Sequence, residues 1–165
     1  AKRTNDNDQI DMNLVDQDVN LIIDASKSKK QLNKETYIDI FTKRSFEHLY
    51  FVANKFQEKM ECKSTLIDTV KSLYKESSET GYAIIVILYF ATRRYELFSN
   101  SLAQAINEPG PNFVMFLRII VERCEIDLKN IKQTYGDNAL KSFIELKVKV
   151  KDVDAANIVN KLCGY

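Results

Sequence analysis

The chain has little of what marks disorder, disulfide scaffolds or metal fingers. Only four of its 165 residues are glycine and two are proline, while 45% are hydrophobic. That excludes a low-complexity chain and describes a compact, helix-rich one. It has no charge of one sign to spend. The formal net charge of +1 gives no global field for DNA or RNA, so any basic function must be local. Its three cysteines, Cys62, Cys124 and Cys163, are odd in number and form no CxxC or zinc spacing. They read as buried thiols in a reduced, intracellular setting. The single histidine, His48, has no Cys or Ser partner in sequence, which argues against a nucleophilic triad. The longest apolar run, "AIIVILYFA" at 83–91, is about half of what a membrane span needs and reads as a helix buried on most sides. No P-loop, GxGxxG or HExxH is present, and no aromatic motif interleaves with basic residues. A nucleic-acid partner and an enzymatic activity are therefore not expected. No signal peptide is visible and residue 1 is Ala, so the expectation is a segment that begins partway into a longer protein.

What the chain does have is an internal repeat. "YIDIFTKRSFEHLYFVANKF" (37–56) lies over "FLRIIVERCEIDLKNIKQTY" (116–135) without a gap, at the offset that sets 37 on 116. Tyr37 meets Phe116, Ile40 meets Ile119, Leu49 meets Leu128, Val52 meets Ile131 and Phe56 meets Tyr135. Arg44 meets Arg123 in a mostly apolar neighbourhood, which predicts structural arginines paired inside each copy. Upstream, "LIIDA" (21–25) lies over "SLAQA" (101–105).

Each copy reads as about five short helices. In the first, Val15 to Lys27 carries Val15, Val19, Ile22 and Ile23 on one face. Asn33, Ser45, Ser64 and then Ser77 or Ser78 are the predicted N-caps of the four that follow. Phe46, Leu49, Val52, Ala53 and Phe56 form a core stripe. In the second copy helices are predicted near 95–107, 112–122, 125–135, 138–147 and 153–162, with Asn112 as a cap after the turn "EPGP" (108–111). "KVKVK" (147–151) alternates like a strand and is read as a loop, so strand content is expected to be near zero.

Three stretches resemble the annexin family: "IDIFTKRSFEHL" (38–49), "LRIIVERCEIDLKNIK" (117–132) and the ending "LCG" (162–164). Residues 1–25 resemble the linker and first helix leading into a third annexin repeat. The resemblance implies an all-α fold of two annexin-type repeats, each of five short helices lettered A to E, in a right-handed superhelical bundle. It implies a linker over 1–13, a third-repeat type over 14–92 and a fourth-repeat type over 93–165. It also implies calcium-dependent, peripheral binding to anionic phospholipid membranes by a cytoplasmic protein. A further partner would be the missing first half of an annexin, or a second copy.

The family's calcium loop, "K-G-x-G-T" between helices A and B, offers backbone carbonyls, and a D–E carboxylate completes the site. Glycines let carbonyls turn inward, and calcium takes six to eight such oxygens. In the first copy that loop falls on "SKSKKQL" (26–32), where Gln31 and Leu32 replace Gly-Thr. Its candidate ligands are Ser26, Lys29 and Gln31, with Glu76 or Glu79 as the carboxylate. In the second the loop is "INEPGPN" (106–112), with Ile106, Glu108 and Gly110 as candidates and Asp152 as a substitute carboxylate. Both sites are expected to be weakened or lost. Lysines stand in their place: Lys27, Lys29, Lys30 and Lys34 in one copy, and Lys147, Lys149 and Lys151 in the other. They suggest direct attraction to anionic lipid; the competing reading is a solvated loop on a protein-interaction scaffold that has lost lipid binding.

Overall fold

A computed structural model describes residues 9–27, 34–74, 78–107 and 111–165, with Lys34 by its backbone only. Every regular element among the described residues is helical. The chain divides into two compact units, Ala1–Arg93 and Arg94–Tyr165. Each has its own apolar core.

The first unit holds α1 (Met12–Lys27), α2 (Lys34–Lys43), α3 (Phe46–Lys59), α4 (Leu66–Leu73) and α5 (Glu79–Thr92). Helix α1 starts a turn earlier than the apolar stripe, because Asp11 Oδ1 accepts from Asn13 N and Leu14 N. It buries Val15, Val19, Ile22 and Ala25 at helical spacing. Helix α3 packs against α1 on one side and α5 on the other, burying Leu49, Val52 and Phe56. Ser45 caps it as expected, with Oγ accepting from His48 N at 3.1 Å. The cap of α4 is Thr65 and not Ser64. Thr65 Oγ1 accepts from Asp68 N at 3.1 Å, and Asp68 returns a carboxylate oxygen to Thr65 N, a reciprocal box that Ser64, one residue further out, has no reach to form. Ser64 Oγ instead meets Thr69 Oγ1 and the Thr65 carbonyl. Ser78 caps α5 by accepting from Gly81 N. A Cβ at Gly81 would lie 2.5 Å from the Tyr74 Cβ, so glycine is what lets α5 close on that side chain. The predicted caps Asn33 and Ser77, and most of the "EPGP" turn, lie outside the described residues.

The second unit repeats the plan with α6 (Arg94–Asn107), α7 (Phe113–Arg123), α8 (Leu128–Tyr135), α9 (Asp137–Phe143) and α11 (Val153–Cys163). Helix α6 packs on α8 as α1 packs on α3. Asn112 caps α7, its Oδ1 accepting from Met115 N. Helix α8 begins at Leu128 and not near 125, because the Arg123 carbonyl accepts from both Ile126 N and Asp127 N and holds 124–127 in a turn. The loop expected at 147–151 is helical. Helix α9 runs through a π-helical stretch, Ile144–Val148, into α10 (Lys149–Lys151). Leu140, Phe143, Ile144 and Val148 are all buried, and that helical spacing outweighs the local alternation of "KVKVK". The expectation of buried thiols holds for Cys163 alone: Cys124 is half-buried and Cys62 exposed. Cys62 sits with Glu61 at positive φ in the surface corner after α3.

Candidate functional site

Helix ends build the candidate edges. In the first unit α1 stops at Lys27 and α2 starts at Lys34. Ser26 Oγ donates back to the Ile23 carbonyl at 2.7 Å, so its hydroxyl is spent inside the helix. Lys27 Nζ donates to Asp24 Oδ1 at 2.9 Å, with both side chains largely exposed. Lys29, Lys30, Gln31 and Glu76 lie outside the described residues, as do Glu108 and Gly110.

In the second unit Ile106 lies in the last turn of α6, half-buried against the core. Asn112 N donates to the Ala105 carbonyl at 2.7 Å, tying the start of α7 to that turn. Lys151 Nζ sits 4.1 Å from the centre of the Phe113 ring. The corner after α10 therefore meets the first turn of α7. Asp152 occupies that corner, but as the N-cap of α11, with Oδ1 accepting from Ala155 N at 2.9 Å. Lys149 Nζ donates to Glu145 Oε2 at 3.0 Å, and that contact, with an Asn160 amide hydrogen bond, holds the Glu145 carboxyl below its ordinary range. Lys147 is exposed on the same stretch.

Calcium needs six to eight oxygens around one point. The described residues bring Asp152, already engaged as a cap, to the second-unit corner with Asp154 two residues on, and no group of three acidic, His or Cys side chains that could hold a metal ion occurs among them. They do not by themselves fit the ion.

The repeat arginines are built differently in the two units. Arg44 grips Asp18 with Nε at 2.6 Å and a second nitrogen at 3.0 Å. His48 Nε2 lies 2.9 Å from the same carboxylate, which is only 1% exposed. Burial pushes the Asp18 carboxyl up, but hydrogen bonds from His48 and Arg44 and the Arg44 charge outweigh it and leave it below its ordinary value. Arg123 grips Asp127 at 2.8 and 2.6 Å and lies 4.5 Å over the Phe98 ring. Under the repeat alignment Asp127 falls on His48, and Phe98 on Asp18. The same arginine thus keeps one carboxylate in each unit, drawn from α1 in the first and from the turn before α8 in the second. Sequence reading missed Asp18; the signal was a charged residue inside the stripe Val15, Val19, Ile22. It also missed Lys132, whose buried ammonium donates to the Cys163 carbonyl, pairs with Asp137 at 3.1 Å and stacks on Tyr165.

This repeated helical plan is that of known proteins. The chain is 32% identical over 126 residues to annexin A13 of Schistosoma japonicum, covering 76% of this chain and 34% of that protein. It is 29% identical over 155 residues to human annexin A9, covering 93% of this chain and 43% of that one. The chain belongs to the annexin family. No family model matches it. Among solved structures, annexin III superposes with a TM-score of 0.81 at 21% identity, over 99% of this chain and 49% of that one. Chicken annexin V gives 0.69 at 24% identity, over 99% of this chain and 50% of that one. At those identities the likeness speaks to the all-α annexin fold. This annexin chain spans a third to a half of the length of the relatives it matches. No described helix is long and apolar enough to cross a membrane.

Proposed function

We propose that the chain is an annexin-type module that attaches peripherally to anionic phospholipid membranes, with calcium's share weakened and lysines supplying part of the attraction. The observation that supports this best is the replacement of loop chemistry in a member of this family. Gln31 and Leu32 stand in one A–B segment, Glu108 and Pro111 in the other, and lysines crowd both corners. The described pairs Lys27–Asp24 and Lys149–Glu145 are surface pairs, which hold their partners weakly and yield to a stronger anion. Each basic residue near an anionic surface contributes about 1 kcal/mol, and salt screens it. The repeats then stand as the third and fourth of a four-repeat annexin. Either the first half or a second copy covers the remaining half-buried apolar faces.

Co-sedimentation with phosphatidylserine vesicles tests this. Binding is expected with calcium and, more weakly, in chelator, falling as salt rises. Substituting Lys147 and Lys149 by Ala is expected to weaken the chelator binding by about fivefold per lysine. Binding indifferent to phosphatidylserine overturns the lysine contribution. Absence of binding under all conditions leaves the scaffold reading.

A further inference from the structure

The outer face of residues 144–151 is not polar. Ile144 and Val148 are buried in the second core, while Leu146 and Val150, two residues on from each, are 68% and 83% exposed. Residues four apart stack one above the other on a helix, so Leu146 and Val150 form a short apolar stripe opposite the buried one. Lys147 and Lys151 run along one flank of this stripe, and Glu145 and Lys149 along the other. Lys151 sets its ammonium over the Phe113 ring at 4.1 Å, and Lys149 is paired with Glu145; both are surface contacts that an anion can replace. The two apolar side chains are thus left to solvent while ammonium groups rim them. At the same end Val114 and Val153 are 72% and 55% exposed. Asp152 and Asp154 follow in the chain, Asp152 with one oxygen turned to Ala155 N, so net charge does not carry this corner; the ordering of apolar and basic side chains does.

We propose that this stripe enters the headgroup layer of an anionic bilayer without calcium, with Leu146 and Val150 reaching the acyl boundary and Lys147 and Lys151 meeting lipid phosphate. The proposal rests on the peripheral attachment above and names the part of the surface that inserts. Two side chains offer far less than the roughly 800 Å² per partner that a stable protein interface buries, but they suit shallow interfacial insertion. There apolar side chains sink and lysine stems run alongside them to the phosphates.

The chain has no tryptophan, so Val150→Trp installs a single fluorescent reporter on an exposed side chain. In chelator, vesicles of phosphatidylserine and phosphatidylcholine are expected to blue-shift its emission, and bromine on the acyl chains to quench it. Phosphatidylcholine alone is expected to leave it unchanged. In the parent chain, Leu146→Gln with Val150→Gln is expected to weaken chelator binding by about tenfold or more with thermal unfolding unaltered. If calcium pellets the protein with vesicles while the indole stays at its aqueous wavelength, the stripe proposal falls and the attachment reading stands. If nothing pellets with or without calcium, both fall. A blue shift that grows with protein concentration in the absence of lipid assigns the stripe to a second copy and overturns insertion.

Discussion

Asp18 and Asp127 answer one requirement from two places. A guanidinium held inside a helical bundle needs a carboxylate, because an unpaired buried charge costs several kcal/mol. In the first unit α1 supplies it across to Arg44, and His48 joins from α3. In the second unit the turn before α8 supplies it, and Phe98, aligned with Asp18 in the repeat, lies under the guanidinium at 4.5 Å. The arginine was legible in the repeat; its partner was not, since one copy places the carboxylate within a helix and the other in the turn before one. Asp18→Asn is expected to cost the first unit about 3 kcal/mol, read as a lower urea midpoint. The pH dependence has a definite sign. The folded carboxyl sits below its ordinary 3.8, so its contribution is complete above that value and is lost as pH falls through the folded one. The acid limb of a stability profile should therefore flatten in Asp18→Asn, and an unchanged limb would remove Asp18 as its source. A second residue effect is chemical. Burial pushes the Cys163 thiol up to about 11, and the nearby Lys132 charge only partly counters it.

At the scale of the element, caps decide where helices begin. Ser45, Ser78 and Asn112 all accept from the backbone three residues on. Thr65 does the same with Asp68 in return. Thr65→Ala is expected to destabilise by about 1 kcal/mol and Ser64→Ala by less, both measured by thermal unfolding; the reverse order would give the cap back to Ser64. Sequence reading assigned this cap to Ser64 and missed Thr65, because the choice depends on which backbone lies within reach. "KVKVK" shows the opposite limit. Its alternation is a two-residue pattern inside a longer helical one, and only Val148 of its two valines finds a core to enter. Which pattern prevails is set by Phe143 and Ile144 upstream.

For the whole molecule, two cores make two sites of loss. Each unit closes its own apolar cluster, so damage at Asp18 should be local. Hydrogen exchange on Asp18→Asn is expected to quicken in α1 and α3 well before α6 and α8. Equal acceleration in both would mean the units unfold as one. By itself the sequence determined the helical class, the two copies and the annexin resemblance, because these rest on apolar spacing and repeated residues that survive without coordinates. It also carried the expectation of weakened calcium loops, since Gln31 and Leu32 stand where the resemblance implies glycine and threonine. Only the tertiary structure decided what the charged residues do. It set Asp152 on the backbone of α11, Lys149 on Glu145 and Lys151 on Phe113, and left Leu146 and Val150 outside. The reason is physical: a side chain's partner is whatever packing brings within about 3 Å of it, and that distance is fixed by helices far apart in the chain.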